Sequence, residues 1–255
     1  MNHNFVLVPA RGGSKGLINK NLTEVHGKTL TNRSITHARK IVDDKQIILS
    51  TDSEDIVLEA AKFFKIKSYD LELNNLSDFG PFKVHFRDSS LSSDNSLISE
   101  VIFSVRNLIL GAGKSLNVIC LLQPTSPFRS SKDLSLIKKI VETSSINSSV
   151  VSVCSVKDMH PARMYRLNTD SSLVELGGFT EFRYNRRQDL PELYIRDGGF
   201  YIIGDSLIVE KLQYNSNPMS LIRSFPWSIN IDGREDLIIA KAVEKFEVKD
   251  DPNEH

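Results

Sequence analysis

Three cations, Arg11, Lys15 and Lys20, and three glycines, Gly12, Gly13 and Gly16, are crowded into the segment "VPARGGSKGLINKN" (Val8–Asn21). Glycines let backbone N–H groups approach a ligand closely. Fixed cations beside such amides suit a nucleoside triphosphate, with its charge of about −4, and the pyrophosphate it can release. Two common phosphate motifs fail here. A Walker loop needs Gly-Lys followed by Ser or Thr, whereas Lys15 precedes Gly16. A dinucleotide fingerprint needs GxGxxG and a later acidic residue, whereas Arg11 stands where the first glycine belongs. The plain alternative is a solvated glycine turn.

Two further groups of residues have chemistry to offer. Gln123 follows the apolar run "NVICLL" and is held by Pro124 and Pro127, so a rigid loop presents its amide. Arg183, Arg186, Arg187 and Arg196 cluster in and just after "FRYNRRQDLP". Guanidinium groups bind carboxylates through paired hydrogen bonds, so this cluster suits an acidic ligand, or else forms a solvated basic loop.

The elements that must carry these residues alternate. Apolar runs at 5–9, 46–50, 84–87, 117–123 and 149–156 read as buried strands, and 198–204 and 228–232 as later ones. Helical periodicity follows the glycine loop (Leu30, Ile35, Ala38, Ile41), then recurs in "TDSEDIVLEAAKFF", "SDNSLISEVIFSVRNLIL", "SSKDLSLIKKIVE" and "EDLIIAKAVEKF". Thr51 with Glu54, and Ser130 with Asp133, have capping-box spacing. Strand and helix in turn predict an α/β fold: a mainly parallel sheet with helices on both faces, whose ligands bind beyond the carboxyl ends of the strands. The glycine segment and Gln123 both fall at such ends. Residues 71–83 read as a turn-rich inserted loop. The rhythm breaks after Val156, so a smaller extension is expected within about 157–227, with 205–227 as a candidate for leaving the body. One domain spans 1–250, and 251–255 is expected to fray.

Composition narrows the partners. The chain has 255 residues, 40% of them hydrophobic and 25% charged. Lys+Arg and Asp+Glu both number 32, which speaks against a nucleic-acid-binding protein, since those carry a basic excess. No apolar run approaches the ~20 residues that span a bilayer. The start lacks the pattern of a signal peptide, so a cytoplasmic protein is expected, with Cys120 and Cys154 as buried free thiols. The six histidines show no metal or triad pattern and read as structural or solvated.

Seven blocks then resemble, in order, the acylneuraminate cytidylyltransferase family, whose members make CMP-activated sialic and related nonulosonic acids: "VPARGGSKGLINKN", "GKTL", "STDSEDI", "FRDSSLSSDNS", "LLQPTSPFR", "RRQDLP" with "DGGFYI", and "INIDGREDL". The resemblance implies a Rossmann-like α/β fold. It also implies an enzyme that transfers CMP from CTP to the anomeric hydroxyl of a nonulosonic acid, with Mg²⁺ as cofactor and pyrophosphate as product. Carried over by motif, Ala10, Arg11, Gly12, Gly13, Ser14, Lys15, Lys20, Asn21, Arg87, Asp94 and Ser96 bind the nucleotide. Arg11, Lys20 and Asp232 serve catalysis, with Lys20 next to the α-phosphate. Gln123, Arg187 and Arg196 bind the sugar acid, and Asp232 with Asn230 holds the metal. The resemblance further implies a homodimer, with part of 157–227 as the dimerisation extension.

The chain departs from the family at two places. The family has Asp-x-Asp where this sequence has Asn230 and Asp232, so one carboxylate becomes an amide. The family also has an arginine two places before an Asn-Gly pair. Here Ile195 holds that place, Arg196 comes one residue later, and Asp197 replaces the Asn. Successive side chains of an extended segment face opposite ways, so only a bulge would bring Arg196 to the family's position. Two alternatives therefore stay open: a nucleotide-binding protein without turnover, and a nucleotidyltransferase for another sugar such as 3-deoxy-octulosonate.

Overall fold

The computed structural model describes residues 3–13, 17–93, 96–157, 159–176 and 189–247. Its elements run β1 (Asn4–Pro9), β2 (Glu24–Val25), β3 (Lys28–Thr29), α1 (Leu30–Ala38), β4 (Ile47–Thr51), α2 (Glu54–Phe63), β5 (Leu76–Phe79), β6 (Phe82–Phe86), α3 (Ile98–Gly111) and β7 (Val118–Leu121). They continue with α4 (Ser131–Thr143), β8 (Ser149–Ser155), β9 (Tyr165–Leu167), β10 (Leu173–Glu175), β11 (Tyr194–Gly204), α5 (Asp205–Val209), β12 (Met219–Arg223) and α6 (Arg234–Glu247).

Eight strands form one sheet in the order β12-β8-β11-β7-β1-β4-β6-β5. β1 pairs in parallel with β4 and β7, β4 with β6, and β8 with β12. β11 runs antiparallel between β7 and β8, and β5 is an antiparallel edge. The expected mainly parallel α/β sheet is therefore present. Its strands read as unbroken apolar runs because both faces are covered. On β1, Val6 and Val8 join the core under α1, α2 and α4, while Phe5 and Leu7 join the core under α3 and α5. β7 divides in the same way, with Cys120 on the first face and Ile119 and Leu121 on the second. A third cluster packs α6 on Val25, Leu30, Phe128, Ile229 and Ile231.

Several sequence expectations change. Residues 71–83 hold a strand: β5 turns into β6 through Gly80, at φ 68°, and Pro81. The Gly-Pro pair marks a hairpin turn there. Residues 228–232 alternate like a strand but pair with no strand. The Ile231 amide donates to the Thr125 carbonyl at 2.7 Å, and Ile229 and Ile231 are buried against α6. The stretch 205–227 does not leave the body, since α5 packs in the α3 core and β12 becomes a sheet edge. Between Val156 and β11, the β9–β10 hairpin forms a separate two-stranded sheet. Thr51 does not cap α2, whose N-cap is Ser53; its Oγ1 instead accepts from the Ser53 amide at 3.1 Å. The Ser130–Asp133 capping box is present. Cys120 is buried, whereas Cys154 is only half-buried.

Candidate active site

The sheet order reverses at β1: the chain moves through β4 to β6 on one side, and β7 lies on the other. The crevice beyond the carboxyl ends at such a switch point is where open α/β sheets bind ligands. A cavity of about 420 Å³ opens there, lined by Pro9, Arg11, Lys20, Asn21, Arg87, Ser93, Ser96, Gln123 and Thr125 among others. Arg11, Asp52, Arg87 and Gln123 each stand one or two residues past the end of a parallel strand. Strand geometry therefore brings together residues more than a hundred positions apart.

One wall descends from β1, β4 and β6. Ala10 is buried, and its amide donates to the Ser50 carbonyl at 2.8 Å. The Gly12 amide, expected to face a phosphate, instead donates to Asp52 Oδ1 at 2.9 Å, while Gly13 borders open space. Asn21 Nδ2 donates to the Arg11 carbonyl at 2.8 Å, which ties the loop's two ends together. The buried Asn21 Oδ1 has no hydrogen-bond partner among the described residues. Arg87 is also buried. Its Nη1 donates to the Leu91 carbonyl at 3.3 Å and its Nη2 lies 3.8 Å from Asp52 Oδ1, yet Nε and Nη2 make no hydrogen bond among the described residues. Burial lowers the Arg87 pKa, Asp52 opposes the shift and Arg11 adds to it. Ser96 Oγ donates to the Ser90 carbonyl at 2.7 Å and meets Ser93 Oγ at 2.7 Å. Ser14, Lys15, Asp94, Arg187 and the tail 251–255 lie outside the described residues.

The opposite wall comes from β7, β11 and the segment before α6. Lys20 Nζ spans to it, 3.1 Å from Asp232 Oδ1. Asn230 Nδ2 donates to Asp232 Oδ2 at 2.7 Å, so the two side chains share a face as the sequence spacing required. Gly198, at φ 71°, floors this wall: an added Cβ would stand 2.9 Å from Gln123 Oε1 and 3.7 Å from Asn230 Oδ1. Arg196 is not among the residues lining the cavity. Its guanidinium stacks 4.5 Å above the Tyr214 ring. The register of β11 against β8 does shift between Arg196 and Tyr201, but this irregularity does not bring Arg196 to the cavity.

The donors fit a hard cation that is bound mainly by its substrate. Asp232 is 71% exposed but shares its Oδ1 with Lys20 and its Oδ2 with Asn230 Nδ2, and Asn230 Oδ1 has no hydrogen-bond partner among the described residues, so a cation would meet one carboxylate already held by Lys20 and one unbonded amide oxygen. No group of three or more His, Cys, Asp or Glu residues forms a fuller metal cage among the described residues.

Three residues behind the second wall carried no individual role in the sequence. Arg129 is buried. Its Nη2 donates to the Gly199 carbonyl at 2.6 Å and to the Gln123 carbonyl at 3.0 Å, and burial followed by Arg223 lowers its pKa to about 9. Arg223 Nη1 meets Asp197 Oδ2 at 2.9 Å with both side chains fully enclosed. Ser152 Oγ donates to Asp197 Oδ1. The one legible hint was the substitution at Asp197, a carboxylate among apolar strand residues that needed a cation.

The fold and the cation-walled switch-point cavity define a nucleotide-binding α/β enzyme. The model of the family described as "Cytidylyltransferase" matches residues 5–214, and the chain belongs to this family. It is 27% identical over 246 residues to the pseudaminic acid cytidylyltransferase of Campylobacter jejuni subsp. jejuni serotype O:2, covering 95% of this chain and 96% of that protein. It is 28% identical over 234 residues to the CMP-N,N'-diacetyllegionaminic acid synthase of Legionella pneumophila subsp. pneumophila, covering 89% and 90%. It is 26% identical over 238 residues to the N-acylneuraminate cytidylyltransferase of Streptococcus agalactiae serotype V, covering 91% of this chain and 51% of that one. Among solved structures, the fold is similar to that of CMP:2-keto-3-deoxy-manno-octonic acid synthetase complexed with CTP: the TM-score is 0.61 at 13% identity, over 96% of this chain and 99% of that one.

Proposed function

We propose that this cytidylyltransferase moves CMP from CTP to the anomeric hydroxyl of a nonulosonic sugar acid and releases pyrophosphate. The observation that carries the reading is the two-walled cavity. Cations and orphaned polar atoms on the β1–β6 wall suit a nucleoside triphosphate. Gln123 lines the other side, and Gly198 and the Asn230–Asp232 pair, which adjoin Gln123 and Lys20, suit with it a hydroxylated acid beside its metal. The three relatives are named for pseudaminic, legionaminic and neuraminic acids, which are all of this sugar class.

In the transfer, a bond forms between the anomeric oxygen and the α-phosphorus as the bond to the β-phosphate bridge breaks, pyrophosphate leaves and the hydroxyl proton passes to solvent. Arg11 and Lys20 are assigned to the phosphates, where charge would build in the transfer, with Lys20 at the α-phosphate. Asn21 Oδ1, with no donor of its own, suits the cytosine amino group, and the unbonded Arg87 N–H groups suit its O2 or a ribose oxygen. Gln123 orients the sugar, while Arg187 is assigned to its acidic end; Arg196, stacked on Tyr214, would join it only by leaving that ring. Mg²⁺, held by Asp232 and Asn230, would neutralise phosphate charge. No helix among the described residues is long and apolar enough to cross a membrane, and we assign the enzyme to the cytoplasm, where CTP is made. We assign it a homodimeric state through the β9–β10 hairpin, whose Leu167 and Leu173 are exposed; light scattering tests this.

The deciding assay is pyrophosphate release from CTP and Mg²⁺ across a panel of nonulosonic acids and 3-deoxy-octulosonate. Release with a nine-carbon acid supports the proposal. Release with the octulosonate alone reassigns the substrate. CTP binding without release from any sugar points to a nucleotide-binding protein.

A further inference from the structure

The buried Arg223 guanidinium touches each of the segments that build the β7–β11 wall. Its Nη1 bonds Asp197 Oδ2 at 2.9 Å, on the strand that continues into Gly198. Its Nη2 donates to the Phe128 carbonyl, in the loop that follows Gln123, and to the Trp227 carbonyl, in the segment leading to Asn230 and Asp232. Its Nε faces Asp133 Oδ2 at 3.6 Å, at the start of α4. Asp197 passes the restraint on: its Oδ1 accepts from the Gly199 amide at 3.0 Å and from Ser152 Oγ. Arg129 holds the Gly199 carbonyl from the other side. Gly199, next to the Gly198 floor of the wall, is thus held at both its N–H and its C=O. Position 199 must be glycine, because a Cβ there would fall 1.6 Å from Arg223 Nη1.

A charge sealed from water is costly unless it is paired and hydrogen-bonded, and removing one partner strands the other. Packing β12 on β8 required no cation at this position, since Leu221 of β12 and Val150 of β8 both belong to the apolar core on that face. What the guanidinium does here is join loops that no strand pairing joins.

We infer that Arg223, paired with Asp197, is a positioning residue: it sets Gln123, Gly198 and the Asn230–Asp232 pair relative to one another and so determines how the acceptor is held. This rests on the proposed function only for the identity of the acceptor. The mechanical part, coupling of the loops, stands apart from it.

The test is hydrogen–deuterium exchange with mass spectrometry on the full chain, paired with separate nucleotide and acceptor measurements. Asp197→Asn keeps the shape and the acceptor for the Gly199 amide but removes the charge that Arg223 requires. It is expected to speed exchange about tenfold or more in 123–129, 197–200 and 226–232 together, and to leave 17–22 unchanged. The dissociation constant for CTP should stay within about twofold, while KM for the sugar rises about tenfold, a change of about 1.4 kcal/mol. Arg223→Lys keeps the charge but cannot reach the same oxygens with a planar fork, so it should reproduce the effect rather than cure it. Faster exchange confined to 197–200, or CTP binding weakened as much as sugar binding, overturns the inference. So does full recovery in the lysine variant. If the wild-type protein turns over no sugar, the proposed function fails, and the exchange pattern still decides the coupling. Should Asp197→Asn not fold, Ser152→Ala removes one bond to the same carboxylate and is expected to show the same pattern at smaller amplitude.

Discussion

The wall built from β1, β4 and β6 leaves buried side-chain atoms at the cavity without partners among the described residues, whereas the wall built from β7 and β11 rests on a buried pair of guanidinium groups that bond four backbone carbonyls, with only Arg223 Nε and Asn230 Oδ1 left unbonded there. Asn21 Oδ1 and the Nε and Nη2 of Arg87 belong to the first. On the second, Arg129 and Arg223 hold the carbonyls of Gln123, Phe128, Gly199 and Trp227. The difference follows from what each wall meets. A flat base and a polyphosphate can supply hydrogen-bond partners themselves, so unbonded groups there become selectivity once the ligand arrives. A hydroxylated acceptor must be aimed at one phosphorus atom, so its wall gains more from being set in advance.

The sharpest break in this contrast is expected at Lys20, which spans the two walls. Lys20→Ala should lower kcat for pyrophosphate release by about 10²–10³, the usual effect of losing one donor to a transition-state oxyanion. CTP affinity should change much less. A loss confined to the KM for CTP would make Lys20 a ground-state contact only.

Arg87→Met probes the first wall alone. CTP binding, followed by calorimetry, should weaken about 10- to 100-fold, in keeping with ~1.5–3 kcal/mol for hydrogen bonds to a charged group. The melting temperature of the ligand-free protein should hold or rise, because two of the lost nitrogens have no hydrogen-bond partner. A large fall in melting temperature would mean that this wall, too, is spent on structure.

Gly198→Ala probes the second wall. It forces a side chain into a left-handed backbone, at a cost of about 1–2 kcal/mol, and pushes Gln123 aside. Sugar KM should rise about tenfold while CTP binding holds. Equal loss of both substrates would dissolve the distinction between the walls.

Asn230→Asp should have the smallest effect, and in the opposite direction. A second carboxylate beside Asp232 raises the ligand charge that sets cation affinity, so Mn²⁺ binding by electron paramagnetic resonance should tighten by about three- to tenfold. Unchanged binding would remove Asn230 from the metal site.

Local pattern made much of this legible. Alternating apolar runs and helical periodicity named most of the sheet and its helices, because each strand buries both faces and each helix one. The edges were harder. "MSLIR" becomes β12 only because β8 is there to pair with it, and "SINID" alternates like a strand yet finds no strand beside it. Within the site, the positions of Arg11, Arg87 and Gln123 followed from strand ends. The displacement of Arg196 onto Tyr214 did not, since it depends on an irregular register between β11 and β8.

The sequence by itself determined the α/β class, the basic glycine loop after the first strand and the same-side spacing of Asn230 and Asp232. These depend on periods of two and 3.6 residues and on short-range chain geometry. Only the tertiary structure decided that the Gly12 amide is taken by Asp52, that Arg87 keeps unbonded nitrogens at the cavity, and that Asp197 belongs to Arg223 rather than to a ligand. Each of these depends on which distant group desolvation forces into contact. No spacing along the chain encodes that choice, because pairing a buried charge is settled by the three-dimensional packing that seals it from water.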